Sequence, residues 1–88
     1  MQELTAYTRK LTDEQGNPLT FHYTLLESRT RDEITDYGIG IDSSRGDQVC
    51  FPHLSVDRDA VEALLSQLAN LTLSPAHLPD VVQDWLGQ

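Results

Sequence analysis

Ser55 to Gln88, SVDRDAVEALLSQLANLTLSPAHLPDVVQDWLGQ, reads as two capped amphipathic helices joined by Asn70-Leu71-Thr72-Leu73-Ser74-Pro75. Val61, Leu64, Leu65, Leu68 and Leu71 recur at the 3.6-residue period and make one apolar stripe. Asp57 suits an N-cap, because its carboxylate can accept the free amide hydrogens of the first turn. Asp59 adds negative charge where the helix dipole favours it. Val56 and Val61 have the spacing of a hydrophobic staple. Asn70 is the expected stop, since it tolerates the left-handed conformation.

The second helix starts at Ser74-Pro75 or Leu78-Pro79. Proline fits the first turn, where no amide hydrogen is needed. With Pro79 four residues after Pro75, the expectation is one turn and then a restart near Leu78. Leu78, Val81, Val82, Trp85 and Leu86 form the second stripe, and Gly87 ends it. A short link favours antiparallel packing of the two helices. Trp85 on the stripe reads as a core anchor, with an exposed binding anchor as the alternative.

Four strand patterns precede the helices, at about 3–11, 19–28, 34–42 and 48–53. The turn-rich stretches Asp13 to Pro18, Thr30 to Glu33 and Ser43 to Asp47 separate them. Short turns between neighbouring strands imply an antiparallel meander, and Pro52 points to an edge or a strand end. Alternation puts Phe21, Tyr23, Leu25, Tyr37, Ile39, Ile41, Val49 and Phe51 on one face, the natural bed for the helices. The reading is therefore α+β. An antiparallel three- to four-stranded meander carries two C-terminal helices, at about 57–70 and 75–86, on one face, in a single domain of residues 1–88.

The opposite face carries Thr20, His22, Thr24 and Leu26 with Gly38, Gly40 and Cys50. Two glycines within one strand are unusual. They mark a flat docking surface, a bulge with a close backbone approach, or simply a solvated face. The candidate interaction face is His22, Thr24, Leu26, Gly38 and Gly40, and the expected partner is an unidentified protein or a second copy in a homo-oligomer.

The 88 residues suffice for one modest core, burying about 60–65% of the unfolded surface. The net charge is −8, from 14 acids and 6 bases, and every base lies at or before Arg58. Nucleic acid and anionic membrane surfaces are thereby excluded as direct ligands, because phosphate binding needs clustered Lys and Arg. The charge leaves open an acidic inhibitor of a nucleic-acid enzyme. No run approaches the ~20 apolar residues of a membrane helix, and the N-terminus lacks the pattern of a signal peptide. Cys50 is the only cysteine and cannot form an internal disulfide. The expected location is the cytoplasm.

No chemistry-bearing motif emerges. Gly38-Ile39-Gly40 is a fragment of a nucleotide-loop pattern placed inside a strand. His22, His53 and His77 have no metal-ligand spacing, although His53 follows Cys50 by three residues. Cys50 reads as a small buried thiol, with no helix start after it to activate it. Asp80 and Asp84, one turn apart, read as a solvated helix face. The expectation is a non-enzyme with no cofactor, no catalytic residue and no metal. The alternative is a small-molecule or metal-dependent site near Cys50, His53 and His77.

Three segments carry a resemblance: Tyr23-Thr24-Leu25-Leu26-Glu27, Tyr37-Gly38-Ile39-Gly40-Ile41, and Ser74 through Leu86. Together they resemble a family of small uncharacterised bacterial proteins, found mainly in anaerobic Gram-positive bacteria, that is a domain of unknown function. The last segment is the most specific. The family pattern has an acidic residue where Gly40 stands and a non-proline where Pro79 stands. The resemblance implies a bacterial cytoplasmic setting and supplies no activity, cofactor or site residue. It leaves the Ser74–Leu86 motif readable as structural, with Ser74 capping and His77 tying the link.

Overall fold

The computed structural model describes residues 2–87. The chain runs β1 (Gln2–Thr12), β2 (Pro18–Arg29), β3 (Thr35–Ser43), β4 (Gln48–Ser55) and α1 (Arg58–Asn70). A 3-10 turn (Pro75–His77) and α2 (Leu78–Leu86) follow. The strands pair antiparallel in the order β1-β2-β3-β4, a simple meander. Each hairpin is closed by its own turn chemistry. The Asp13 carboxylate accepts from the Gln15 and Asn17 amides at 2.9 and 2.8 Å, and Gly16 supplies the positive φ. In the β3–β4 turn, Ser43 N donates to the Asp47 carbonyl at 2.8 Å, with Gly46 in the left-handed region.

The helices cover one face of the sheet, as the alternation requires. Phe21, Tyr23, Leu25, Ile39 and Ile41 from the sheet are buried against Val61, Leu64, Leu65, Leu68, Leu78 and Val82 from the helices. Trp85 is half-buried at the margin of this core. Asp57 caps α1 by accepting from Ala60 N at 3.2 Å. The second helix starts in two steps: a 3-10 turn opens on Pro75, and α2 begins at Leu78 with Pro79 still in its first turn. Pro79 therefore deprives the helix of no intrahelical bond.

Several expectations are corrected. The stripe of α1 ends at Leu68 and Ala69, because Leu71 is the C-cap residue and stands 67% exposed. The left-handed residue is Thr72 (φ 52), two positions after Asn70. Leu73 N donates to the Leu68 carbonyl and Thr72 N to the Ala69 carbonyl, both at 3.1 Å, which is the Schellman pattern. Leu73 packs against the core. Leu73 is thus the second residue past the cap, and Thr72 before it takes the left-handed conformation. Val56 is also 67% exposed, so it forms no buried staple with Val61. Ser74 occupies the cap position without making a side-chain cap bond; its hydroxyl pairs with His77 instead. Cys50 is an exposed free thiol rather than a buried one, because it projects from the helix-free face of an edge strand.

Gly38 has a specific structural duty. Between Tyr37 and Ile39 the β3–β4 register shifts, with Tyr37 opposite Ser55 and Ile39 opposite Phe51. This bulge presses the β4 backbone onto β3. A Cβ on Gly38 would overlap the Phe51 carbonyl oxygen and lie 2.5 Å from the Pro52 Cα. Only glycine fits.

Candidate interaction surfaces

The helix-free face of the sheet holds the five residues singled out from the sequence, and β2 and β3 bring them together. Leu26 pairs with Gly38, and Thr24 pairs with Gly40. His22 is exposed, with its Nδ1 3.2 Å from the Thr8 hydroxyl. Thr24 and Gly40 are half-buried, and Leu26 is only 5% exposed. A shallow groove of about 140 Å³ runs beside Leu26, Gly40 and Cys50, with Glu3 and Asp42 in its walls. The two glycines differ. Gly38 is explained by the bulge, whereas a Cβ on Gly40 would meet only Cys50 Cβ at 3.7 Å and the Leu26 methyls at 3.8 and 3.9 Å.

Cys50, His53 and His77 are not brought together. Cys50 stands beside Gly40 on the helix-free face. His53 lies past the bulge with φ 62, its Nδ1 2.8 Å from both Asp36 carboxylate oxygens. His77 closes the 3-10 turn on the helical side, its Nδ1 2.8 Å from the Ser74 hydroxyl. Each imidazole thus has a local partner. Among the described residues, no group of three His, Cys, Asp or Glu side chains is placed to hold a metal ion.

The helical side carries a surface that the sequence reading missed. A groove of about 220 Å³ opens between α1 and α2, walled by Leu64, Leu68 and Leu71 on one side and Val81, Asp84 and Trp85 on the other. Leu71 is the notable member. The Leu71 amide makes the last helical bond, to the Gln67 carbonyl at 3.0 Å, and the Schellman turn beyond it packs Leu73 against the core, which leaves the Leu71 side chain outside the core. Leu86, on the last turn of α2, is 58% exposed. The one available sequence signal was the position of Leu71 after Asn70, at the very end of the stripe, where a helix residue is as easily outside the core as in it.

The charged side chain in the groove wall is acidic. Asp84 is in its wall and Asp80 is one turn before it on the same helix. Arg58, the last base in the chain, lies at the far end of α1, about 20 Å from Leu71 at 1.5 Å per residue. There its Nε is 3.3 Å from Glu62 and its guanidinium lies 5.9 Å from the Tyr37 ring centroid. Arg9 approaches the C-terminal end of α1 from β1 and is engaged with the Ala69 carbonyl and the Asn70 side chain.

A family model matches residues 2–88, both layers of this structure. The chain belongs to DUF6514, a family of unknown function. None of the curated proteins and none of the solved structures gives a match. The match spans the sheet and both helices. Among the described residues, no helix is long and apolar enough to cross a membrane.

Proposed function

We propose that this chain is a protein-interaction module of the bacterial cytoplasm that seats a protein partner on its helical layer. The carrying observation is Leu71: a large apolar side chain, two-thirds exposed, at the end of an apolar groove that also holds Trp85. Apolar groups gathered around an aromatic anchor are the usual energetic centre of a protein interface. The partner is a different protein, since two copies carrying −8 each would bring like charges together. The free, exposed Cys50 thiol fits a reducing compartment.

The test is comparative. Wild-type protein and Leu71→Ser are immobilised side by side and exposed to lysate of the native host. Because Leu71 is exposed, the variant keeps its fold, which circular dichroism verifies. A stoichiometric protein retained by the wild type and lost by the variant supports the reading. Equal retention by both, or an empty capture by folded wild type, overturns it.

The open sheet face supports a second reading through its groove at Leu26 and Gly40. It is the weaker anchor, because Leu26 is already buried within the monomer and Gly38 is accounted for by the bulge. Gly40→Lys in the same capture separates the two: loss of the partner with Gly40→Lys and not with Leu71→Ser would move the contact to the sheet.

A further inference from the structure

We infer that the occupant of the α1–α2 groove is a basic amphipathic helix. This rests on the reading of the groove as the docking surface. Shape is the first argument. The α1 wall runs from Leu64 to Leu71, two helical turns or about 10 Å. It is matched by Val81 and Trp85, one turn apart on α2. Anchors spaced by whole turns suit the i, i+3, i+4, i+7 stripe of a helix lying between the walls. An extended peptide gains its affinity from main-chain bonds to an exposed strand edge, and both walls here are helices whose backbone groups bond internally.

Charge is the second argument. The groove wall includes Asp84, with Asp80 a turn away, and no Lys or Arg occurs after Arg58. Arg9 places one positive charge near the Leu71 end, on the Ala69 carbonyl and the Asn70 side chain, so the acidic rim is the α2 side of the groove. Lysines or arginines flanking an apolar stripe would lay their methylene stems over Trp85 and Leu71 and place their charged heads by Asp80 and Asp84. An acidic helix would meet like charge at the same rim.

The probe is a synthetic Leu/Lys peptide about four turns long, patterned for an amphipathic helix. Its controls are the same pattern with Glu for Lys, and the same Leu/Lys composition in strict alternation, which favours a strand. Trp85 is the only tryptophan in the chain and sits in the groove wall, so its emission reports occupancy directly. The expected result is an equimolar blue shift with the helical Leu/Lys peptide. Binding should be about tenfold weaker for the alternating peptide and for Leu71→Ser, and absent for the Glu peptide. Glu14→Gln with Glu33→Gln, which removes two exposed acids outside the groove wall, should leave affinity within about twofold.

Equal binding of the two Leu/Lys peptides, or indifference to Leu71→Ser, would reduce the effect to general charge attraction and overturn the inference. The two levels fail separately. If lysate capture depends on Leu71 but the helical Leu/Lys peptide does not bind, the partner class is wrong and the docking surface stands. If neither depends on Leu71, the surface itself is refuted.

Discussion

The hydroxyl of Tyr23 donates a hydrogen bond to the Leu73 carbonyl, 2.8 Å away, from the centre of the sheet to the link between the helices. The Tyr23 ring is fully buried and meets Phe21 edge-on, with centroids 6.4 Å apart. Leu73 is also held by its amide, which donates to Leu68, and by its partly buried side chain packed against the core. The link thus has a fixed path, and that path leaves Leu71 outside.

Tyr23→Phe keeps the ring and strands the Leu73 carbonyl. The expected loss is about 1–3 kcal/mol in a urea titration. Burial pushes the Tyr23 phenol above its ordinary 10.0, and the Arg9 guanidinium draws it part of the way back. The folded protein therefore holds this proton longer than the unfolded chain does. Its stabilisation is complete below about pH 10 and is lost as pH rises through the folded pKa. The Phe variant should lack this component of alkaline destabilisation, and parallel pH curves for both proteins would refute the assignment.

Arg9 supplies the cation that the last turn of α1 lacks. Its Nε donates to the Ala69 carbonyl at 3.0 Å, at the negative end of the helix dipole. Arg9→Met should destabilise by about 1–2 kcal/mol at low ionic strength, and by less in high salt. Denaturant midpoints at two salt concentrations decide this.

The two β3 glycines should respond oppositely to alanine. Gly38→Ala drives a methyl into the Phe51 carbonyl and the Pro52 backbone, and should cost more than about 3 kcal/mol or prevent folding. Gly40→Ala has ordinary contact distances and should be neutral or stabilise by up to about 1 kcal/mol. Thermal melts of the pair test the bulge directly.

Thr72 holds φ 52 with a β-branched side chain. That conformation costs an L-residue about 1–2 kcal/mol, part of which glycine returns through a freer unfolded chain. Thr72→Gly should raise stability by about 0.5–1 kcal/mol. A fall in the melting temperature would contradict the Schellman assignment.

Leu68 and Leu71 lie three residues apart in α1's apolar pattern and differ in burial, 1% against 67% exposed. Leu68→Ala should cost about 2–5 kcal/mol, and Leu71→Ala under about 0.5 kcal/mol. Equal losses would place Leu71 in the core and remove the basis for the groove.

Much of this architecture was legible in residue order. The meander followed from short turns between alternating segments, the two-layer packing from matching apolar faces, and the restart at Leu78 from the two prolines. These features depend on local periodicity and on backbone chemistry within a few positions. The end of α1 was less legible. Asn70 is the better left-handed residue, yet the chain places Thr72 there because Leu73 gains burial and a Tyr23 donor, and both come from residues distant in sequence.

The candidate surfaces divide the same way. The pairing of His22, Thr24 and Leu26 with the β3 glycines was readable from alternation. Sequence alone could not distinguish the glycine beneath a bulge from the one beside open space, because the difference lies in the opposing β4 backbone. Nor could periodicity show that Leu71 sits outside the core. A helical period assigns a direction around the helix axis. Where the helix stops, and so which side of its neighbours a terminal residue reaches, is set by the tertiary contacts of the link.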